Sequence, residues 1–177
     1  MKLEGYSGNP VDVDEWGNIK TRSIMRQEMN DANDQEKSYS WFSTYTTAGA
    51  ENVIYIKNTH ATDNLEIHSI VLGTNTNVVF TMSQVTGTAA GTTITGSNMN
   101  LGSTQTASVT SLGNAAVTGL TTGKTLLTFR VLANYGDKYN IEGGVILTPN
   151  TAIAVAVSVL TTFDCSIYGH FNNLESK

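Results

Sequence analysis

The stretch Ala152-Ile153-Ala154-Val155-Ala156-Val157-Ser158-Val159-Leu160 decides the fold. Its period is two, the repeat of a strand whose successive side chains point to opposite faces. The odd positions Ile153, Val155, Val157 and Val159 are β-branched and suited to filling a core. The other face offers Ala152, Ala154 and Ala156, small and without charge, so it must pack closely against something. That partner is either another subunit or an internal second layer, such as a loop laid over the strand. A few residues on, Cys165–Phe171 repeats the pattern. Cys165, Ile167 and Phe171 fall inward, while Ser166, Tyr168 and His170 fall outward, and an exposed Tyr–His pair on a strand hints at an interface.

Working back along the chain, the same alternation marks Ser38–Thr46, Asn52–Asn58, Leu65–Leu72, Val78–Ser83, Gln105–Leu112, Thr125–Ala133 and Gly144–Thr148. Turn signals separate them: Ala48-Gly49, Thr62-Asp63-Asn64, Gly73-Thr74-Asn75, Gly136-Asp137 and Thr148-Pro149-Asn150. Crossovers this short cannot support parallel βαβ units. The expectation is an all-β fold, an antiparallel jelly-roll-like β-sandwich over residues 38–177. Residues 86–125 are low in complexity, dominated by Thr, Gly, Ser, Asn and Ala, with a further short strand candidate at Thr92–Thr95. Such a stretch reads as long polar loops at one end of the sandwich, fit for recognition or for inert covering.

Charge divides the 177 residues in two. Residues 1–37 hold 13 of the 25 charged side chains, and they lack sustained alternation. Only Ile24, Met25 and Met29 hint at a short helix. This segment reads as an extended N-terminal arm that needs a partner surface to become ordered. Charged residues are only 14% of the whole, so the polar surface comes from 26 Thr, 17 Asn and 16 Gly. A net charge of -5 without clustered Lys and Arg speaks against nucleic acid as a partner. The longest apolar run, Ala152–Val157, is far short of the roughly 20 residues of a membrane span. No apolar segment follows Lys2 to make a secretory signal. Cys165 stands alone, which leaves no internal disulfide and reads as a buried small thiol.

Several motifs imitate chemistry. Gly119-Leu120-Thr121-Thr122-Gly123-Lys124-Thr125 suggests a phosphate loop, but position 118 is Thr where that motif needs Gly. The next residues, Leu126–Leu132, also alternate as a strand, whereas a phosphate loop must open a helix. Asp12-Val13-Asp14-Glu15-Trp16-Gly17 imitates a calcium loop, yet Trp16 stands where that loop needs Asp or Asn, and Ser23 where it needs the bidentate carboxylate of Glu. His60, His68 and His170 are the candidates for proton transfer, with His68 and Glu66 expected on one face about 7 Å apart. No nucleophile elbow is present, and the sparse acids Asp63, Glu66, Asp137, Glu142 and Asp164 form no assignable pair. The chain reads as a non-enzyme, with no cofactor and no metal.

The run Asp14-Glu15-Trp16-Gly17-Asn18-Ile19-Lys20-Thr21-Arg22-Ser23 resembles the N-terminal segment of small virion structural proteins of tailed bacteriophages. The likeness continues in Ser40-Trp41-Phe42-Ser43, Val53–Thr59, Leu65–Ile70, Gly91–Asn100 and Gly143–Val155. These are loose strand-and-turn patterns spread over most of the chain. The resemblance implies a jelly-roll homotrimer that decorates or cements a capsid and is assembled in the host cytoplasm. Its partners would be itself and the major capsid protein or another virion protein. Trp16, Arg22, Ile24 and Met25 would dock the arm. Ala152, Ala154, Ala156, Tyr168 and His170 would form the subunit interface. One rival reading is a fibre or receptor-binding head that recognises a host surface glycan, with Trp41, Tyr45, Tyr135 and Tyr139 as candidate aromatics. Another is a polysaccharide depolymerase, which would need paired carboxylates in a deep cleft.

Overall fold

The computed structural model describes residues 36–172, and those residues form ten strands and no helix. Trp16, Arg22, Ile24 and Met25, expected from the sequence to dock an arm, the calcium-like run and the helical hint all lie outside the described residues. The strands are β1 (Ser38–Thr46), β2 (Glu51–Asn58), β3 (Asn64–Thr74), β4 (Val78–Ala90), β5 (Ser97–Asn98), β6 (Val109–Leu112), β7 (Thr118–Val131), β8 (Tyr135–Leu147), β9 (Ala152–Val157) and β10 (Thr162–Asn172). One sheet has the order β5-β1-β10-β3-β8 and the other β6-β2-β9-β4-β7, and all these neighbours pair antiparallel. Without the short β5 and β6, the orders β1-β10-β3-β8 and β2-β9-β4-β7 are those of a jelly roll, two Greek keys rolled together.

Alternation explains the core. Trp41, Ile54, Ile56, Leu65, Ile67, Ile70, Leu72, Phe80, Met82, Ile153, Val155, Phe163, Cys165 and Ile167 are fully or almost fully buried between the sheets. Phe80 of one sheet meets Phe163 of the other edge to face at 6.3 Å. Each large apolar side chain among them contributes about 1.5–3 kcal/mol by leaving water. Two expectations need correcting at the strand ends. β9 stops at Val157, so Val159 leaves the core and lies 43% exposed. Gly136-Asp137 is not a turn: β8 starts at Tyr135, and the chain reverses at Leu132–Asn134, where Asn134 takes the left-handed conformation that Asn tolerates (φ 58°). The opening of β8 escapes the alternation test because it is an edge strand facing water on both sides, with no apolar face to reveal it.

The low-complexity segment is a strap along one side of the sandwich, neither an end loop nor a free loop. Leaving β4, it places β5 beside β1 and β6 beside β2, so it covers the otherwise open edges of both sheets. Thr93 makes an isolated bridge to Leu112, in place of the expected strand at Thr92–Thr95. Its composition suits this task, because what fastens it is backbone and short polar side chains. The Ile94 N–H donates to the Ser111 carbonyl at 3.1 Å, and the Ser111 hydroxyl returns a bond to the Ile94 carbonyl at 2.7 Å. The Ser43 hydroxyl of β1 donates to the Val53 carbonyl and accepts from the Asn114 N–H, both at 2.8 Å. Glycine lets the strap come close: a Cβ on Gly96 would stand 2.5 Å from the Trp41 indole nitrogen.

Candidate functional site

The alanine face of β9 is covered from within the chain. Ala152 and Ala154 are 6% and 2% exposed, and they belong to a second apolar cluster with Tyr55, Val85, Leu112 and Val117. Tyr55 of β2 lies opposite Ala154 in register, and Leu112 of β6 lies opposite Tyr55. Leu112 and Val117 come from the strap and the chain leaving it, so the strap buries the alanines that the sequence offers to another subunit. Alanine is required because a tyrosine and a strap must both fit above the strand. Only Ala156, half-buried, stays within reach of water on that face.

The outer face of the other sheet has a different character. β1 and β10 pair from Ser38↔His170 to Thr46↔Thr162, which sets Phe42 opposite Ser166 and Ser40 opposite Tyr168. Val71 of β3 flanks Ser166 from the other side. Phe42 is 50% exposed, and Val71 and Tyr168 are half-buried, so the three ring Ser166 as an apolar patch. The sequence marks Tyr168 as an interface residue. It leaves Phe42 unmarked, although the inward Trp41 beside it already implies an outward ring.

His170 departs from expectation, because it is buried rather than exposed. Its Nδ1 sits 2.7 Å from Nε2 of buried His68, one ring donating to the other, with ring centroids 4.6 Å apart. The strands irregularly skip His68 in both registers, β3 with β8 and β10 with β3, and this turns the His68 ring toward His170. A pair separated by 102 positions leaves no local signal. His60 serves a turn instead: its Nδ1 accepts from the Asp63 N–H at 2.9 Å and the Thr62 N–H at 3.3 Å. Among the described residues, no three His, Cys, Asp or Glu side chains cluster as metal ligands. Cys165 is wholly buried, and burial pushes its thiol well above the ordinary range.

The phosphate-loop imitation lies inside the strand β7 rather than ahead of a helix. Its first glycine has a structural cause. Gly119 takes a left-handed conformation (φ 74°), and a Cβ there would run into the Thr88 carbonyl oxygen of the paired strand. Of the candidate aromatics, Trp41 is fully buried, which removes it from any ligand surface. Tyr45 donates to the Glu51 carboxylate at 3.1 Å, and Tyr139 donates to the Arg130 carbonyl at 3.2 Å. Tyr135 alone of the four is largely exposed, at 64%.

Comparison with protein-family models, with characterised proteins and with solved structures finds no match.

Proposed function

We propose that the protein is a non-enzymatic structural subunit of a virion, a capsid decoration or cement protein that closes as a homotrimer and is fastened by its N-terminal arm. The observation that carries the reading is the strand order, β1-β10-β3-β8 against β2-β9-β4-β7. The jelly roll recurs in viral shells because two rolled Greek keys give a small, stiff block with loops at its ends. The strap adds to that stiffness by covering one pair of edges. The resemblance of the chain to small phage virion proteins points the same way.

With Ala152 and Ala154 covered from within, the contact between copies moves to the patch of Phe42, Val71 and Tyr168. A phenylalanine half in water on a flat sheet face gains by burial against a symmetry mate, and closed rotation buries each copy's patch equally. Co-sedimentation with emptied shells of the parent virion tests the reading. The full chain should bind at a fixed, saturable ratio to the shell protein. A chain that stays in the supernatant at every concentration would remove the decoration role.

A further inference from the structure

At the end of the sandwich where β7 turns into β8, a shallow basin of about 360 Å³ opens between three turns. Its floor has a simple cause in the register. Asp164 of β10, Gly73 of β3 and Gly136 of β8 are consecutive partners across the sheet. Two adjacent glycines leave a floor without side chains, and the Asp164 carboxylate stands at its wall, 3.9 Å from where a Gly73 Cβ would sit. Asp164 is exposed, and its carboxylate makes no hydrogen bond or ion pair among the described residues. Asn75, in the turn between β3 and β4, is oriented by the start of β10: its Oδ1 accepts from the Thr162 N–H at 2.9 Å and the Thr161 hydroxyl at 3.1 Å. Its amide N–H groups are therefore the part left for a ligand. The exposed Tyr135 and Asn134 complete the rim.

We infer that this basin binds a neutral sugar ring, through Asp164 and Asn75 to its hydroxyls and Tyr135 to its apolar face. An ionised carboxylate accepts hydroxyl protons in charge-assisted bonds, and an amide donates to the ring or hydroxyl oxygens. A tyrosine ring supplies flat apolar area with a polar edge, which suits the C–H face of a pyranose. The volume falls at the lower end of small-ligand sites, enough for one or two rings. Charge sets the class. No Lys or Arg lines the basin, so an acidic sugar would meet Asp164 with nothing to neutralise it. The inference is independent of the decoration role: a shell subunit can carry such a site, and its failure leaves that role intact.

Saturation-transfer NMR on the full chain tests it, with the methyl glycosides of glucose, galactose and N-acetylglucosamine and with sialic acid as the acidic control. We expect transfer to at least one neutral glycoside, with affinity in the millimolar range. Tyr135→Ala and Asp164→Asn should each weaken binding about tenfold, the loss of one charge-assisted bond or one stacked ring. Both side chains are exposed, so circular dichroism of the variants should match the parent. No transfer to any neutral glycoside, equal transfer to sialic acid, or transfer unchanged by both substitutions would overturn the assignment.

Discussion

Trp41 shows how tightly single residues are constrained here. Its ring is fully buried, and its indole N–H has no hydrogen-bond partner among the described residues. The backbone of Gly96 lies over that nitrogen, so the strap and the core meet at one point. Adding one methyl group there, by Gly96→Ala, should lower stability by about 1–3 kcal/mol through overpacking. Urea unfolding should show a lower midpoint with an unchanged slope. An unchanged midpoint would mean that the strap yields freely at this place. Cys165 makes a second residue-level test. Burial raises its thiol pKa above the ordinary 9.0. The unfolded thiol ionises first as pH rises, so this group's contribution to stability is intact below that ordinary value and declines above it. A disulfide-exchange reagent at about pH 8, near the ordinary thiol range, should label Cys165 only as fast as the chain opens. Prompt labelling of the native protein would place the thiol outside the core.

Elements differ in how plainly they announce themselves. β1, β9 and β10 are legible in the sequence because each has one face in the core, so that Tyr39, Trp41 and Ser43, or Ile153, Val155 and Val157, mark every second place. The first half of β8 is not legible, since Tyr135–Lys138 is exposed throughout and carries no period. Nor is the strap, whose fastenings at Ser43, Ser111 and Asn114 are hydrogen bonds between small polar groups that any loop could contain. For the candidate interface, alternation tells that Ala152 and Ala154 face away from Ile153. It cannot tell that Tyr55 and Leu112, distant in the chain, cover them. That covering changes what a substitution does. Ala154→Glu should cost several kcal/mol of folding stability in each chain, because a carboxylate would enter an apolar cluster without a partner. Phe42→Glu should leave the thermal midpoint within a few degrees and act on assembly alone. Thermal melts and light scattering together separate the two. A stably folded Ala154→Glu chain that has merely lost its oligomeric mass would return the alanine face to the interface.

At the scale of the whole molecule, the proposed trimer has a direct measure. Light scattering should report about three times the 19.0 kDa chain mass, and Phe42→Glu should reduce it to that of one chain. A parent chain that runs as a monomer at micromolar concentration would rule out a stable trimer in solution. Limited proteolysis should trim residues before about Ser38 and leave a resistant core, because the jelly roll begins there. The trimmed core should keep its strand spectrum and lose attachment to shells. Attachment at full affinity would remove the arm as the fastener.

The pairing of the first strand with the last also fixes how the molecule carries load. β1 is not an edge: β10 holds it along nine residue pairs, and β5 grips its outer side near its start. Tension entering through the arm and resisted by the body of the sandwich pulls β1 along its own axis. The nine pairs then bear the force together, in shear. Pulling the two chain ends apart is another matter, since Ser38 and His170 are neighbours and the ladder would open there one pair at a time, like a zip. In the proposed attachment the same strand is thus strong toward a shell that holds the arm, and weak toward anything that takes hold of both ends.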